Sequence, residues 1–152
     1  MKGLTNPLVS IIILTYNRAK LLIEALESVL AQTYRNIEII VVNDASPDNT
    51  EEVLLPYMKH IRYIKNEKNL GCAGSKNVGL EAARGELITN LDDDDCIKPE
   101  KIARQVEMFQ ERPQMGVCAT GTIHIDKDGQ HIRTYMPPRF SRRNQTLLFL
   151  RK

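Results

Sequence analysis

The chain has 152 residues, enough for one compact domain that buries a core without disulfides or a structural metal. Its hydrophobic and charged fractions of 42% and 26% are ordinary for a globular protein, and a net charge of +2 is too small to indicate nucleic-acid binding. Cys72, Cys96 and Cys118 lie far apart, which argues against a disulfide framework or a zinc ribbon and favours a reducing compartment.

Strands and helices are predicted to alternate along the first hundred residues. Residues 9–14 (VSIIIL) are a continuous apolar, β-branched run, typical of a strand buried on both faces. Residues 37–42 (IEIIVV) are predicted to be a second buried strand. Two further strands are predicted at residues 61–64 and 86–91. The intervening and following helices are predicted at residues 18–31, 49–58, 71–84 and 99–112. This order predicts an α/β fold with a mostly parallel sheet and right-handed crossovers.

The rest of the chain contains two predicted turns and a terminal helix. Gly85 is predicted to end the third helix in the left-handed conformation. Residues 117–125 and 131–135 flank Asp126-Lys127-Asp128-Gly129, a pattern that predicts a hairpin. Residues 141–152 are predicted to be helical, with an apolar centre and basic ends. That pattern suits contact with an anionic membrane, or a core helix whose exposed face would favour a homodimer.

Polar residues follow each of the four predicted strands. They are Thr15-Tyr16-Asn17, Asn43-Asp44, Asn66 continuing to Asn69, and Asn90 with the acidic run. The carboxyl ends of parallel strands open on one rim, and ligands bind there in such sheets. The four clusters together therefore predict a binding site.

The acidic run Asp92-Asp93-Asp94-Asp95 is the most specific of these clusters. Neighbouring carboxylates repel each other, so a compensating cation is expected. Mg²⁺ and Mn²⁺ take oxygen ligands, usually one or two carboxylates together with substrate phosphates. Along an extended strand Asp92 and Asp94 share a face while Asp93 faces away. The alternative is a solvated loop that caps the next helix.

Three other residues are candidates for binding a nucleotide. Asp44 suits a base N–H or a ribose hydroxyl, the alternative being a cap for the segment after Pro47. Tyr16 suits stacking on a base, the alternative being an amphipathic side chain at a domain edge. Lys76 follows the glycine-rich stretch of residues 69–74, where a cation would meet phosphate; the alternative for the glycines is close helix-to-sheet packing.

Three segments together resemble a known family. VSIIILTYNR, IEIIVVNDASPDNT and NLGCAGSKNVGLEAARGELITNLDDDDCIKPEKI closely resemble the amino-terminal half of family 2 glycosyltransferases of the GT-A fold. The resemblance implies that Tyr16 and Asp44 hold the nucleotide base, with Thr15 and Asn17 alongside. It implies that Asp92 and Asp94 bind the ribose and the metal–diphosphate, Asp94 being the favoured metal ligand and Asp95 a supporting residue. The chain departs from the family at Ala45, where glycine is usual, and at Lys76, where arginine is more frequent.

The resemblance also implies a function and a domain plan. Residues 1–7 are expected to be a tail, 8–135 the nucleotide-sugar-binding domain, and 136–152 the start of a helical acceptor half. The implied reaction transfers a sugar, with inversion, from a UDP- or GDP-type donor to a glycan or lipid-linked acceptor, assisted by Mn²⁺ or Mg²⁺. The general base is expected beyond Lys152, so the fold is expected to be incomplete relative to the family. The chain by itself is then expected to bind a nucleoside diphosphate but to transfer sugar poorly.

Two other functions fit the sequence less well. A sugar nucleotidyltransferase would carry a glycine-rich, basic phosphate loop after the first strand, where Thr15-Tyr16-Asn17-Arg18 has no glycine. A non-catalytic nucleotide-sugar-binding or assembly module would lack only the acceptor half. The expected location is cytoplasmic, with possible contact at the inner face of a membrane, because the amino terminus lacks a signal-peptide pattern and no segment approaches about 18 apolar residues.

Overall fold

A computed structural model describes residues 5–136 of the chain. The strands are β1 (Val9–Thr15), β2 (Ile37–Asn43), β3 (Arg62–Lys65), β4 (Leu87–Asp92), β5 (Thr122–Ile125) and β6 (His131–Tyr135). The helices are α1 (Ala19–Leu30), α2 (Thr50–Leu54), α3 (Gly71–Ala82) and α4 (Lys101–Glu111), and one 3₁₀ turn (Leu55–Tyr57) follows α2. The predicted helix at residues 141–152 lies outside the described residues.

The first four strands form one parallel sheet in the order β3-β2-β1-β4. Strand β1 is therefore central, with β2 on one side and β4 on the other. The chain reverses its direction of travel across the sheet between β3 and β4, which leaves a crevice outside the carboxyl ends of β1 and β4. The predicted α/β fold with a parallel sheet is confirmed.

The two faces of the sheet are covered by different helices. Ile11 and Ile13 of β1 point to one face and belong to a buried cluster with residues of α1, α2 and α4. Ile12 points to the opposite face, where α3 packs. Such burial on both faces explains why β1 and β2 are mostly apolar.

Gly79 lets α3 approach the sheet closely. A Cβ atom at this position would lie 2.5 Å from Cγ2 of Ile12, closer than any real contact. Gly79 therefore allows close helix-to-sheet packing. That alternative does not explain the glycines of residues 69–74: Gly71 has a φ of +70° and open space where a Cβ atom would stand, and a Cβ atom at Gly74 would meet the side chain of Leu70.

The prediction for Gly85 was wrong. Helix α3 ends at Ala82, Ala83 is already extended with φ −67° and ψ 134°, and Gly85 does not have a positive φ. Glycine is required here for steric reasons instead, because a Cβ atom would lie 2.6 Å from the backbone nitrogen of Ser10 and 2.7 Å from the carbonyl oxygen of Leu8.

Strands β5 and β6 form the predicted hairpin, as a separate two-stranded antiparallel sheet. Asp126 accepts hydrogen bonds from the N–H groups of Asp128 and Gln130, and Gly129 has a φ of +78°. The first hairpin strand is shorter than predicted: residues 117–121 are not in a strand. Among residues 5–136, no helix is long and apolar enough to cross a bilayer.

Candidate functional site

A cleft with a volume of ≈ 460 Å³ opens at the carboxyl ends of β1, β2 and β4, beside the start of α3. Its size falls in the range of small-molecule sites. Six residues singled out in the sequence line it together: Thr15, Tyr16, Asp44, Lys76, Asp92 and Asp94. Leu14, Arg18, Asn69, Gly71, Cys72, Ser75 and Asp93 complete the lining.

Asp44 is buried at the end of β2 and is 5% exposed. Its Oδ1 accepts hydrogen bonds from Asn66 Nδ2 and the Leu70 N–H, both at 2.8 Å, and its Oδ2 accepts one from the Gly71 N–H at 3.0 Å. Burial by itself would raise the pKa of Asp44, but hydrogen bonds, led by that from the Leu70 N–H, outweigh it and the net pKa lies below 3.8. The Ser75 hydroxyl is a further hydrogen-bonding partner of this carboxylate, so its capacity of about four hydrogen bonds is used within the protein.

Asp44 does cap a helix, but not the segment after Pro47. It binds N–H groups at the start of α3. The caps near Pro47 come from Asp48, whose Oδ1 accepts from the Thr50 N–H of α2 and whose Oδ2 accepts from the Ala19 N–H of α1. Asp44 therefore ties β2 to α3 across the floor of the cleft, while Asp48 ties the β2 loop to α1.

The end of β1 supplies a hydroxyl and an aromatic ring. Thr15 is 2% exposed, and its Oγ1 has no hydrogen-bond partner within residues 5–136. A buried hydroxyl without a partner is unfavourable, so a ligand that hydrogen-bonds to it would relieve this cost. Tyr16 is 47% exposed and offers its ring to the cleft.

Asn17 lies outside the lining of the cleft. It has a left-handed φ of 56°, and its N–H donates to Ser46 Oγ at 3.0 Å. Asn tolerates this conformation better than most residues. Asn17 thus shapes the turn that presents Tyr16, and its direct contact with a nucleotide stays a prediction.

Ala45 follows Asp44 and has a left-handed φ of 59°, which explains why glycine suits this position. The left-handed conformation costs a residue with a Cβ atom about 1–2 kcal/mol, whereas glycine loses about 0.4–1 kcal/mol through greater freedom when unfolded. We expect Ala45→Gly to raise the free energy of unfolding by about 0.5–1 kcal/mol, measured by urea denaturation. The control Ala103→Gly, within α4, should lower it by about 1 kcal/mol; equal losses in both variants would contradict the strain at Ala45.

The acidic run departs from the predicted arrangement at Asp93. Strand β4 ends at Asp92, and the Asp95 N–H donates to the Asp92 carbonyl oxygen at 3.1 Å, which closes a turn. Because the chain turns, strand alternation no longer applies. Asp93 does not face away: it is 5% exposed and lines the same cleft as Asp92 and Asp94.

Two cations pair with the acidic run. Arg18 Nη1 donates to Asp93 Oδ1 at 3.2 Å and to Asp94 Oδ2 at 2.7 Å. The pKa of Arg18 is raised above its usual value, first by the hydrogen bond to Asp93 and then by the negative charges of both aspartates. Lys76 Nζ lies 3.6 Å from Asp92 Oδ1. Sequence reasoning missed Arg18, because it reaches the acidic run only through the adjacency of β1 and β4 in the sheet.

Asp95 does not line the cleft. Partial burial, with the negative charges of Asp94 and Asp92, raises its pKa above 3.8.

The carboxylates fit a metal that is shared with a substrate. Among residues 5–136, no group of three or more His, Cys, Asp or Glu side chains is placed to hold a metal ion. Asp92 and Asp94 nevertheless offer two carboxylates to the cleft, with side chains 60% and 47% exposed. Mg²⁺ and Mn²⁺ sites that bind substrate phosphates often use only one or two protein carboxylates, so the donor set fits an ion completed by a diphosphate.

Comparisons with known proteins agree on one family. The model of the family described as Glycosyl transferase family 2 matches residues 10–151. An uncharacterized glycosyltransferase of Rickettsia typhi is 47% identical over 133 residues, covering 88% of this chain and 42% of that protein. The glycosyltransferase GlyG of Streptococcus pneumoniae is 40% identical over 127 residues, covering 82% of this chain and 42% of that protein. A glycosyltransferase of Rickettsia felis is 44% identical, and this chain spans 22% of its length.

Two solved structures share the fold. S. aureus TarS in complex with UDP-GlcNAc superposes with a TM-score of 0.66 and 30% identity, covering 69% of this chain and 32% of that one. The mannosyltransferase PcManGT of Pyrobaculum calidifontis, in complex with GDP-Man and Mn²⁺, gives a TM-score of 0.67 and 25% identity, covering 76% of this chain and 36% of that one. The chain thus spans less than half the length of these relatives. It belongs to glycosyl transferase family 2 and has the GT-A fold.

Proposed function

We propose that the cleft binds a nucleoside-diphosphate sugar of the UDP or GDP type and that the protein transfers the sugar to an acceptor hydroxyl in glycan or polysaccharide synthesis. The observation that carries the proposal is the convergence of an exposed aromatic ring, a buried acceptor and paired opposite charges in one cleft. Solved structures with the same fold are complexes with UDP-GlcNAc and with GDP-Man, which supports a donor of this class.

The nucleoside would bind at the ends of β1 and β2. Tyr16 offers a face for stacking on the base. Asp44 holds the start of α3 beside this position, and the unpaired Thr15 Oγ1 suits a polar group of the nucleoside. Asn69 lies in the same part of the lining.

The diphosphate would bind between Lys76 and the acidic run. The N–H groups of Leu70 and Gly71 at the start of α3 already donate to Asp44, so they are not available to phosphate. The Lys76 ammonium, with a side chain 34% exposed, is a point charge suited to phosphate oxygens. Lysine lacks the bidentate fork of arginine, so this contact is expected to be less directional than in relatives with arginine here.

Asp92 and Asp94 would hold Mn²⁺ or Mg²⁺. The ion, when bound, neutralises charge that develops on the leaving diphosphate. Asp93 and Asp44 are both buried, and they position Arg18 and the start of α3 around the donor.

Transfer also needs a base that deprotonates the attacking hydroxyl. Within residues 5–136 the carboxylates of the cleft are committed elsewhere: Asp44 and Asp93 to hydrogen bonds, and Asp92 and Asp94 to the proposed metal. We therefore assign the base to a part of the protein beyond these residues. The same part would select a glycan or lipid-linked acceptor and orient it for inversion at the anomeric carbon. The same commitment favours, as a second candidate, a nucleotide-sugar-binding module without activity of its own.

Cys72 gives a direct test in the unmodified protein. It is exposed and lines the cleft, whereas Cys96 is exposed outside it. We expect UDP or GDP with Mn²⁺ to slow alkylation of Cys72 by at least about fivefold, because a bound nucleotide occupies the adjacent space. The rate at each cysteine is measured by mass spectrometry after timed exposure to iodoacetamide.

The comparison with Cys96 makes this test specific. Its rate should be unchanged, and Mn²⁺ or inorganic phosphate by itself should protect Cys72 little. Equal rates at Cys72 with UDP, with GDP and without nucleotide would contradict donor binding. Protection without sugar transfer is expected under both candidate functions, because the base is assigned beyond residues 5–136, so this test addresses donor binding.

A further inference from the structure

Arg18 is held differently by its two carboxylate partners. The Asp93 side chain is 7% exposed and that of Asp94 is 47% exposed, while Arg18 itself is 50% exposed. An ionised carboxylate buried like that of Asp93 is strongly unfavourable without a cation. The contact with Asp94 lies in water, where an ion pair contributes little. Asp93 therefore anchors the guanidinium, and the contact with Asp94 is exchangeable.

The same Asp94 is one of the two carboxylates that the proposed function assigns to a metal, and its side chain is exposed to the cleft. A divalent cation at Asp94 would lie within a few ångströms of a guanidinium anchored by Asp93. The repulsion between them in a water-like medium is equivalent to about a tenfold loss of metal affinity. Lys76, 3.6 Å from Asp92, opposes the metal in the same way at the other carboxylate.

We propose that Arg18, anchored by Asp93, is a resident counter-cation that a divalent metal must displace from Asp94, so that the metal binds well only together with the donor diphosphate. This inference rests on the proposed function. Once displaced, the guanidinium still lines the cleft, where phosphate oxygens are strong partners for it. The charge of Arg18 then no longer opposes the metal but stabilises the metal–diphosphate pair. Because the two binding equilibria are linked, the nucleotide must raise the affinity for the metal by the same factor by which the metal raises the affinity for the nucleotide.

The test compares Mn²⁺ binding by the protein, Arg18→Gln and the matched control Arg104→Gln, which removes the same charge from the exposed face of α4. Free Mn²⁺ is measured by electron paramagnetic resonance, first without nucleotide and then with saturating UDP. Without nucleotide, Arg18→Gln should bind Mn²⁺ about tenfold more tightly than the other two proteins. The ratio of the two Mn²⁺ dissociation constants, without and with UDP, should fall by a similar factor in Arg18→Gln only.

A second measurement covers the case in which Arg18→Gln, with Asp93 left unpaired, does not fold. Mg²⁺ is titrated into the unmodified protein and the Arg18 side-chain Nε–H signal, assigned with Arg18→Lys, is followed by NMR. The signal should move with Mg²⁺ occupancy, and should not move in Asp94→Ala. An unchanged signal at saturation, or Mn²⁺ affinity in Arg18→Gln equal to or weaker than that of the unmodified protein, would overturn the inference and leave donor binding intact. If neither metal nor UDP binds the unmodified protein, both proposals fail.

Discussion

Replacing Asp94 with alanine is expected to abolish the metal dependence of nucleotide binding. With saturating Mn²⁺, UDP or GDP should bind roughly 100-fold more weakly than to the unmodified protein, equivalent to about 2.7 kcal/mol. Without metal the affinity should be unchanged or higher, because the substitution removes a negative charge beside the diphosphate and releases Arg18 from its 2.7 Å contact. Calorimetric titration of UDP and GDP, with Mn²⁺ and with EDTA, measures both effects.

The difference between the two conditions separates this prediction from a general loss of the fold. A variant that had merely unfolded would lose binding under both conditions. Asp128→Ala is the matched control, since it removes an exposed aspartate from the hairpin turn, which lies outside the cleft, and should change neither titration. Metal-dependent binding that survives in Asp94→Ala would contradict the assignment of this carboxylate to the metal.

Replacing Asp44 with asparagine is expected to weaken both the fold and nucleotide binding. Asparagine keeps one acceptor oxygen but turns an amide NH₂ toward N–H groups that now donate to the carboxylate. Hydrogen bonds to a charged group are worth about 1.5–3 kcal/mol each, so we expect a loss of about 2–3 kcal/mol in the free energy of unfolding. Nucleotide affinity, measured where both proteins are folded, should fall at least about tenfold, which corresponds to about 1.4 kcal/mol.

The same variant should change how stability depends on pH. The pKa of Asp44 is lower in the folded protein than its ordinary value of 3.8, so the ionised carboxylate stabilises the fold above that pH. This contribution is lost as the pH falls below about 4 and through the folded pKa. Urea denaturation at pH 6 and pH 3 should therefore show a smaller acid-induced loss in Asp44→Asn. Asp48, whose pKa is also lowered, keeps its share of the acid sensitivity in both proteins. If the unmodified protein and Asp44→Asn lost equal stability on acidification, Asp44 would not be a source of the acid sensitivity.

Much of the site could be predicted because each part depends on residues close together in sequence. The apolar runs of β1 and β2 identify buried strands, and polar residues directly after them must lie at the carboxyl ends of those strands. This logic brought Thr15, Tyr16 and Asp44 to one cleft with Asp92. It failed at Asp93, because alternation describes a strand and the chain had already turned after Asp92.

The sequence by itself determined the order of strands and helices, the parallel sheet and the edge at which the polar residues meet, since these follow from local periodicity and from the handedness of crossovers. Only the tertiary structure decided which groups pair. Arg18 meets Asp93 across 75 positions of the chain, and Asp44 meets the Leu70 N–H across 26. The need for glycine at position 85 comes from the backbone of Ser10 on β1. Such contacts depend on distances between elements, which packing sets and sequence patterns do not encode.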